Sequence, residues 1–217
     1  MMKDLVIIGA GGHGKVIADI AQKMGKYEKI FFLDDAVKGN CMDFPVLGKT
    51  NLAFSFLETV EIFIAIGNAE IRAKFLEALI GAGAKIPILI HPNTSIGANV
   101  SIGVGTVLMP GAIINPESKI GKGCIINTAS SVDHECEIDN YVHVAVGAHL
   151  CGNVKIGKYT WIGAGATVSN NIAVCSRCMI GAGSVVVGDV KAQGTYIGVP
   201  AKKQQRRVDD ENIDTSE

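Results

Sequence analysis

The sequence predicts a two-part chain: a small parallel α/β domain of Rossmann type over residues 1–88, followed by a parallel β-helix of hexapeptide repeats over 89–203. Three observations predict it. From Ile90 to Val186 every sixth residue is aliphatic, with no slip and no insertion. Four residues after each of these sits a compact one, from Thr94 through Ala112, Cys124 and Ala148 to Ser184. The first 88 residues instead alternate short apolar runs with stretches of helical spacing. A period of six matches neither a 3.6-residue helix nor a two-residue strand, so it marks a repeat architecture. Strands alternating with helices mark a parallel α/β sheet.

In chain order, Leu5–Ile8 reads as a strand that empties into Gly9-Ala10-Gly11-Gly12-His13-Gly14-Lys15 and a helix to about Met24. A second strand ends in Asp34-Asp35, and a third, from Glu61, ends in Gly67-Asn68 before a helix that runs to about Ile80. Gly9, Gly11 and Gly14 have the GxGxxG spacing, with Asp34 20 residues beyond Gly14. Backbone amides at such a helix start hold phosphate, and the acidic pair accepts hydrogen bonds from a ribose or base. The alternative is a glycine turn that only packs helix on strand. The domain is too short for the second half of a dinucleotide fold, so a nucleotide joined to a sugar suits it better.

In the hexads, Gly97, Gly103, Gly121, Gly157, Gly163 and Gly181, with Asn115, Asn127, Asp133 and Asp139, follow the aliphatic position. They are read as corner residues chosen for positive φ. Three hexads make a coil, so residues 18 apart stack. His134 then lies under Gly152, and Ala164 under Ala182, in two different columns.

Net charge is −1 and no basic run is interleaved with aromatics, which argues against nucleic acid. With a mean hydropathy of +0.31 and no apolar run of about 18 residues or leader pattern, the chain is expected to be cytoplasmic, with no membrane partner. Of the six cysteines, Cys124, Cys136 and Cys178 fall at compact inward positions, and the Cys175–Cys178 pair lacks a second ligand pair. Reduced core thiols and no metal are the expectation. The polar, acidic stretch 204–217 is expected to be disordered.

GAGGHGK, FLDD, AIGN, the unbroken hexads, Ile126-Asn127-Thr128-Ala129-Ser130-Ser131-Val132-Asp133-His134-Glu135-Cys136 and Gly198-Val199-Pro200-Ala201-Lys202 together resemble the left-handed β-helix sugar acyltransferase family. Within it the likeness is to the UDP-4-amino-sugar N-acetyltransferases of bacillosamine biosynthesis, and more distantly to sialic acid O-acetyltransferases. The resemblance implies a left-handed coil, a homotrimer with active sites between subunits, and acetyl-CoA as co-substrate. It implies His134 as general base, Glu135 as its support and Asn127 at the reacting group. It implies that His143, Gly152, Ala164 and Ala182 meet acetyl-CoA, and that Gly11, Gly12, His13, Asp34, Asp35 and Gly67 meet a nucleotide sugar. Imidazole exchanges protons near neutral pH, and an adjacent carboxylate orients it, which suits amine acylation. The competing expectations are O-acetylation of a sialic acid or related sugar, and a nucleotide-sugar-binding scaffold without catalysis.

Overall fold

The computed structural model describes residues 3–205; the expectation for the acidic tail falls almost wholly outside them. Strand β1 (Lys3–Ile8), helix α1 (Gly12–Lys23), strands β2 (Tyr27–Leu33), β3 (Asn40–Cys41), β4 (Phe44–Gly48) and β5 (Glu61–Ile64), and helix α2 (Ala69–Gly81) build the N-terminal part. The sheet order is β3-β4-β2-β1-β5, parallel except for the β3–β4 hairpin. That hairpin was not read from the sequence, because Asn40–Gly48 contains Pro45 and Gly48 and carries no alternating apolar pattern.

From Leu89 onward the chain winds through two-residue strands on three faces, each strand paired in parallel with the one 18 residues later. The first face carries Leu89–Ile90, Val107–Leu108, Ile125–Ile126, His143–Val144, Trp161–Ile162 and Met179–Ile180. The second runs from Ser95–Ile96 to Val185–Val186, and the third from Ser101–Ile102 to Ala173–Val174. The second residue of most pairs points inward, and Leu108, Ile126, Val144, Ile162 and Ile180 are fully buried. The compact positions also point inward: Ala112, Cys124, Cys136 and Ala148 are at 0 % exposure. Burial pushes the thiols of Cys124 and Cys136 up to about 12 and about 11, so both remain protonated at neutral pH.

The corner reading needs correction. Positive φ falls three residues after the aliphatic position, at Asn99, Glu117, Ala129, Glu135, Tyr141, Asn153, Tyr159, Asn171 and Arg177, and not one residue after it. Asn127 is therefore not the left-handed corner residue. The glycines at the earlier position answer a steric demand: a Cβ on Gly103 would stand 2.5 Å from Lys122 N, and one on Gly157 2.5 Å from Ser176 N, both in the next coil. Coil-to-coil approach, which period alone does not reveal, selects glycine there.

The two parts share their cores. One side of the α/β sheet (Leu5, Ile7, Phe32, Phe63) and α1 pack with Leu89, Val107, Met109 and Ile125 of the first face. Burying Leu89, Val107 and Ile125 there is worth about 1.5–3 kcal/mol each. The other side (Val6, Ile8, Leu33, Ile62) packs on α2, whose Leu76 nests against the coil where Gly105 and Gly123 lack a side chain. Above this contact Tyr141 stacks on Tyr159 at 5.3 Å and bonds Glu77 of α2, while Arg177 pairs with Glu70. At the far end, Thr195–Ile197 extends the first face and Lys202–Lys203 runs back antiparallel across it.

Candidate active site

The glycine turn after β1 is set by close packing. A Cβ on Gly14 would lie 2.0 Å from Gly9 O, and Gly9 itself has φ +104°, with a Cβ there standing 2.9 Å from Ala65 O. Gly11 and Gly12 have open space where a side chain would go, and α1 starts at Gly12 without a side-chain cap. The backbone amides of Gly12 and His13 thus lead the helix. Asp34 does a structural job: its Oδ2 accepts Ala10 N–H at 2.8 Å, and its Oδ1 accepts Ala36 and Val37 N–H at 2.9 Å. Burial works to raise this carboxyl, and the three donors more than offset it, so its pKa lies below the usual carboxylate range. Asp35 accepts from the Thr50 amide and hydroxyl.

His13 reaches the junction between the two parts, where its charge would be felt by His143 of the first face. Asn127, at the corner between first and second faces, accepts Thr128 N–H on Oδ1 at 2.8 Å, which fixes the amide orientation. Its Nδ2 therefore donates to His143 Nε2 at 3.0 Å. His143 then carries its proton on Nδ1, which is buried with no hydrogen-bond partner among the described residues, as is Nε2 of His13. Trp161, one coil further on, lies over the His143 ring at 4.5 Å. Burial, then the Arg72 guanidinium, then His13 push His143 down to about 3; burial, then Arg72, push His13 down to about 4. Both are neutral imidazoles at pH 7.

That has a pH signature. Between the unfolded value of about 6.5 and these depressed folded values the unfolded chain binds more protons, so stability rises with pH. The contribution is fully present above about pH 6.5 and is lost as pH falls toward 4. Thermal unfolding scans at pH 7.5, 6 and 5 are expected to show the midpoint falling stepwise, and a His143→Gln chain is expected to lose part of that slope.

The second cluster is at the corner between second and third faces. Asp133 Oδ1 accepts from His134 N at 2.8 Å and from Asn115 Nδ2 at 2.7 Å, while His134 O accepts from Asn153 N. The backbone of His134 is thereby fixed between two coils. Glu135 sits at φ 58° and its Oε2 meets His134 Nδ1 at 3.0 Å, leaving Nε2 on a half-exposed ring. That Nε2 faces Gly152: a Cβ there would stand 2.5 Å from it. The obstructing atoms belong to a movable ring, so Gly152→Ala is expected to swing His134 away. Activity should fall on the order of 100-fold, the scale of a small misplacement. The melting midpoint should stay within about 2 °C, as for a surface change. Kinetics and a thermal scan on one preparation read both.

On one chain the expected site residues separate into two groups. Asn127, His143, Ala164 and Ala182 line the first-to-second corner, where Gly147 N bonds Thr128 O, Gly165 N bonds Val146 O and Gly183 N bonds Ala164 O. His134, Glu135 and Gly152 line the second-to-third corner. The face between them presents Ser131, His149 and Thr167, with His149 Nδ1 only 2.8 Å from Ser131 Oγ. Sequence reasoning missed Trp161 and Arg72. Trp161 was readable as the residue 18 beyond His143; Arg72 gave no signal, since helical arginines are usually solvated. His91, at the entry to the coil, is buried and its Nδ1 accepts from Asn93 N. Among the described residues no cluster of three or more His, Cys, Asp or Glu could hold a metal ion. Among them too, no helix is long and apolar enough to cross a membrane.

Residues 4–79 match the family described as PglD N-terminal domain, and residues 153–188 match the bacterial transferase hexapeptide (six repeats). A UDP-N-acetylbacillosamine N-acetyltransferase of Bacillus subtilis is 34% identical over 114 residues, which span 50% of this chain and about half (52%) of that protein. The acetyltransferase domain of PglB from Neisseria gonorrhoeae, solved with acetyl coenzyme A, superposes with a TM-score of 0.92 at 42% identity. The match covers 94% of this chain and 100% of that one. PerB from Caulobacter crescentus, solved with CoA and GDP-perosamine, matches at a TM-score of 0.86 and 32% identity over 94% and 99% of the two chains.

Proposed function

The chain belongs to the left-handed β-helix sugar acyltransferase family, and from that premise we propose that it transfers acetyl from acetyl-CoA to the amine of a nucleotide-linked 4-amino sugar of the bacillosamine type. The relatives are sugar N-acetyltransferases or are bound to acetyl-CoA, CoA or GDP-perosamine, which favours this substrate class. The observation that carries the reading is the pair of polar clusters, Asn127–His143 and His134–Glu135, on the two corners that flank one face.

That face is the one suited to a second copy of the chain. The first face is covered by the N-terminal part over its first three strands, and the third presents Lys119, Glu137 and Lys155 to water. The second presents an uncharged column, Ser95, Ile113, Ser131, His149, Thr167 and Val185. A homotrimer closed on these faces sets the His134 corner of one protomer against the Asn127–His143 corner of the next. His134, with Nδ1 held by Glu135, takes a proton through Nε2 from the attacking nitrogen as the C–N bond forms. The C–S bond of the thioester then breaks, and the proton held by His134 passes to the departing sulfur so that CoA leaves as its thiol. His143, its Nε2 held by Asn127, stands along the corner where acetyl-CoA would lie. Ala164 and Ala182, being small, leave room for the pantetheine arm along the corner; Gly152 leaves the His134 ring its place beside it. The open amides after Gly11, together with His13 and Gly67, receive the nucleotide sugar, with Asp35 freer than Asp34 to meet its ribose or base. In keeping with these substrates the enzyme is read as cytoplasmic, the N-terminal part spanning 1–88 and the coil 89–203.

The test is thiol release from acetyl-CoA with a UDP-4-amino-4,6-dideoxy sugar as acceptor, beside a sialic acid. Rapid release with the amino sugar supports the reading. Release with the hydroxyl acceptor alone replaces it with O-acetylation, and acceptor binding without release by either supports a scaffold.

A further inference from the structure

The largest fully buried side chain among the described residues is charged. Arg72 is 1 % exposed, on α2, one turn past the Asn68 cap whose Oδ1 accepts from Glu70 N and Ile71 N at 3.0 Å. Its guanidinium donates to four carbonyls on both sides of the junction. Nη1 reaches Ile66 O at 2.9 Å and Gly67 O at 2.7 Å in the turn after β5, Nε reaches Gly123 O at 2.7 Å, and Nη2 reaches Tyr141 O at 3.1 Å. No carboxylate among the described residues pairs with it. The titratable groups nearest it are Cys124 and Tyr141 on the coil, with His13 of α1 and His143 of the first face. Burial pushes the Cys124 thiol and the Tyr141 phenol upward, so neither supplies an anion at neutral pH.

A buried cation without a counter-ion is costly, and retention on stability grounds alone would favour a Met or Leu that fills the same space. The four-carbonyl fork gives it a different task. Resting on the acetyl-transfer reading above, we propose that Arg72 is the positioning residue of the site. Its guanidinium clamps the Gly67 turn to the coil wall so that His13 and His143 stand at a fixed separation, and it lends the cleft one uncompensated positive charge that favours an anionic nucleotide sugar. The fork geometry matters because a planar guanidinium addresses several carbonyls at once, whereas an ammonium offers the charge without the fork. The same charge adds to burial, the larger cause, in keeping the two imidazoles unprotonated.

The test uses the full chain, with histidine ring signals followed by NMR from pH 4 to 8 and steady-state kinetics with the UDP-amino sugar per mole of folded protein. In the wild type the His13 and His143 rings are expected to remain unprotonated through pH 5. In Arg72→Met both should titrate at higher pH than in the wild type, and kcat/KM should fall on the order of 100-fold. Arg72→Lys should keep the wild-type titration but still lose about tenfold in kcat/KM, separating charge from fork. Wild-type titration and kinetics in a folded Arg72→Met overturn the proposal, as does full kcat/KM in Arg72→Lys. Should Arg72→Met fail to fold, the lysine variant and the wild-type titration decide. An inactive wild type sinks the acetyl-transfer reading, while the ring titrations still decide the clamp and its charge.

Discussion

Replacing His134 with alanine is expected to lower kcat for thiol release by about 10²- to 10⁴-fold, the usual contribution of a positioned base. The fold should be unaffected. His134 is half exposed, its backbone is held by Asp133 and Asn153 whatever the side chain, and a β-carbon remains at a corner that already accepts one. A melting midpoint unchanged with kcat lost separates the chemical role from a structural one. Glu135→Gln should cost less, since the amide still accepts from Nδ1 when its oxygen faces the ring but no longer carries charge. If His134→Ala kept wild-type kcat, the base would have to be sought at the other corner, and His143 is the group there with a ring to offer.

Gly14→Ala is expected to produce the largest loss of stability. Its Cβ would stand 2.0 Å from Gly9 O and 3.3 Å from the Phe32 ring, and the obstructing atom is backbone that a rotamer change cannot move. Either α1 lifts from the sheet or the turn after β1 opens, and both expose Ile17, Ile20 and Ala21 from the core they share with the coil. A cost above about 3 kcal/mol follows, at the high end for overpacking. Gly11→Ala, three residues away, meets nothing within 4 Å and should stay within about 0.5 kcal/mol. Denaturant titrations of the two variants side by side check the contrast. Equal costs would mean that the GxGxxG spacing is a single unit, rather than a packing contact at its ends around an open middle.

How legible the molecule was depended on the range of the interactions involved. The hexad register from Ile90 to Val186 gave the coil, the inward positions and the 18-residue stacking, because each depends only on neighbouring coils. His134 over Gly152 followed from the same arithmetic. The corners were placed correctly but explained by the wrong residue: φ turns positive at Glu135, Tyr141 or Arg177, types that a local rule would avoid at roughly 1–2 kcal/mol each. Tyr141 and Arg177 are held there by Glu77 and Glu70, more than 60 residues earlier, and no local pattern carries that information. The same distance hid Arg72, whose partners Gly123 and Tyr141 lie across the junction. The Asn127–His143 bond was unreadable for another reason. It needs one residue at a corner and another on the next coil's strand, 16 apart rather than 18.

The strand that doubles back at the far end bears on a danger common to all stacked sheets. A coil ends in unpaired amides and carbonyls that another chain's first coil could continue, and two-residue strands repeated in register are well suited to such growth. Here Lys202–Lys203 lies antiparallel on Thr195–Ile197, Gly198 O and Ala201 N take up both backbone groups of Val185, and Val190 bridges Val174. All three faces are thus stopped, the first by a strand of the wrong direction bearing two positive charges. End-on joining into filaments is closed off, which leaves the side faces, the proposed trimer face among them, as the surfaces open to a second copy.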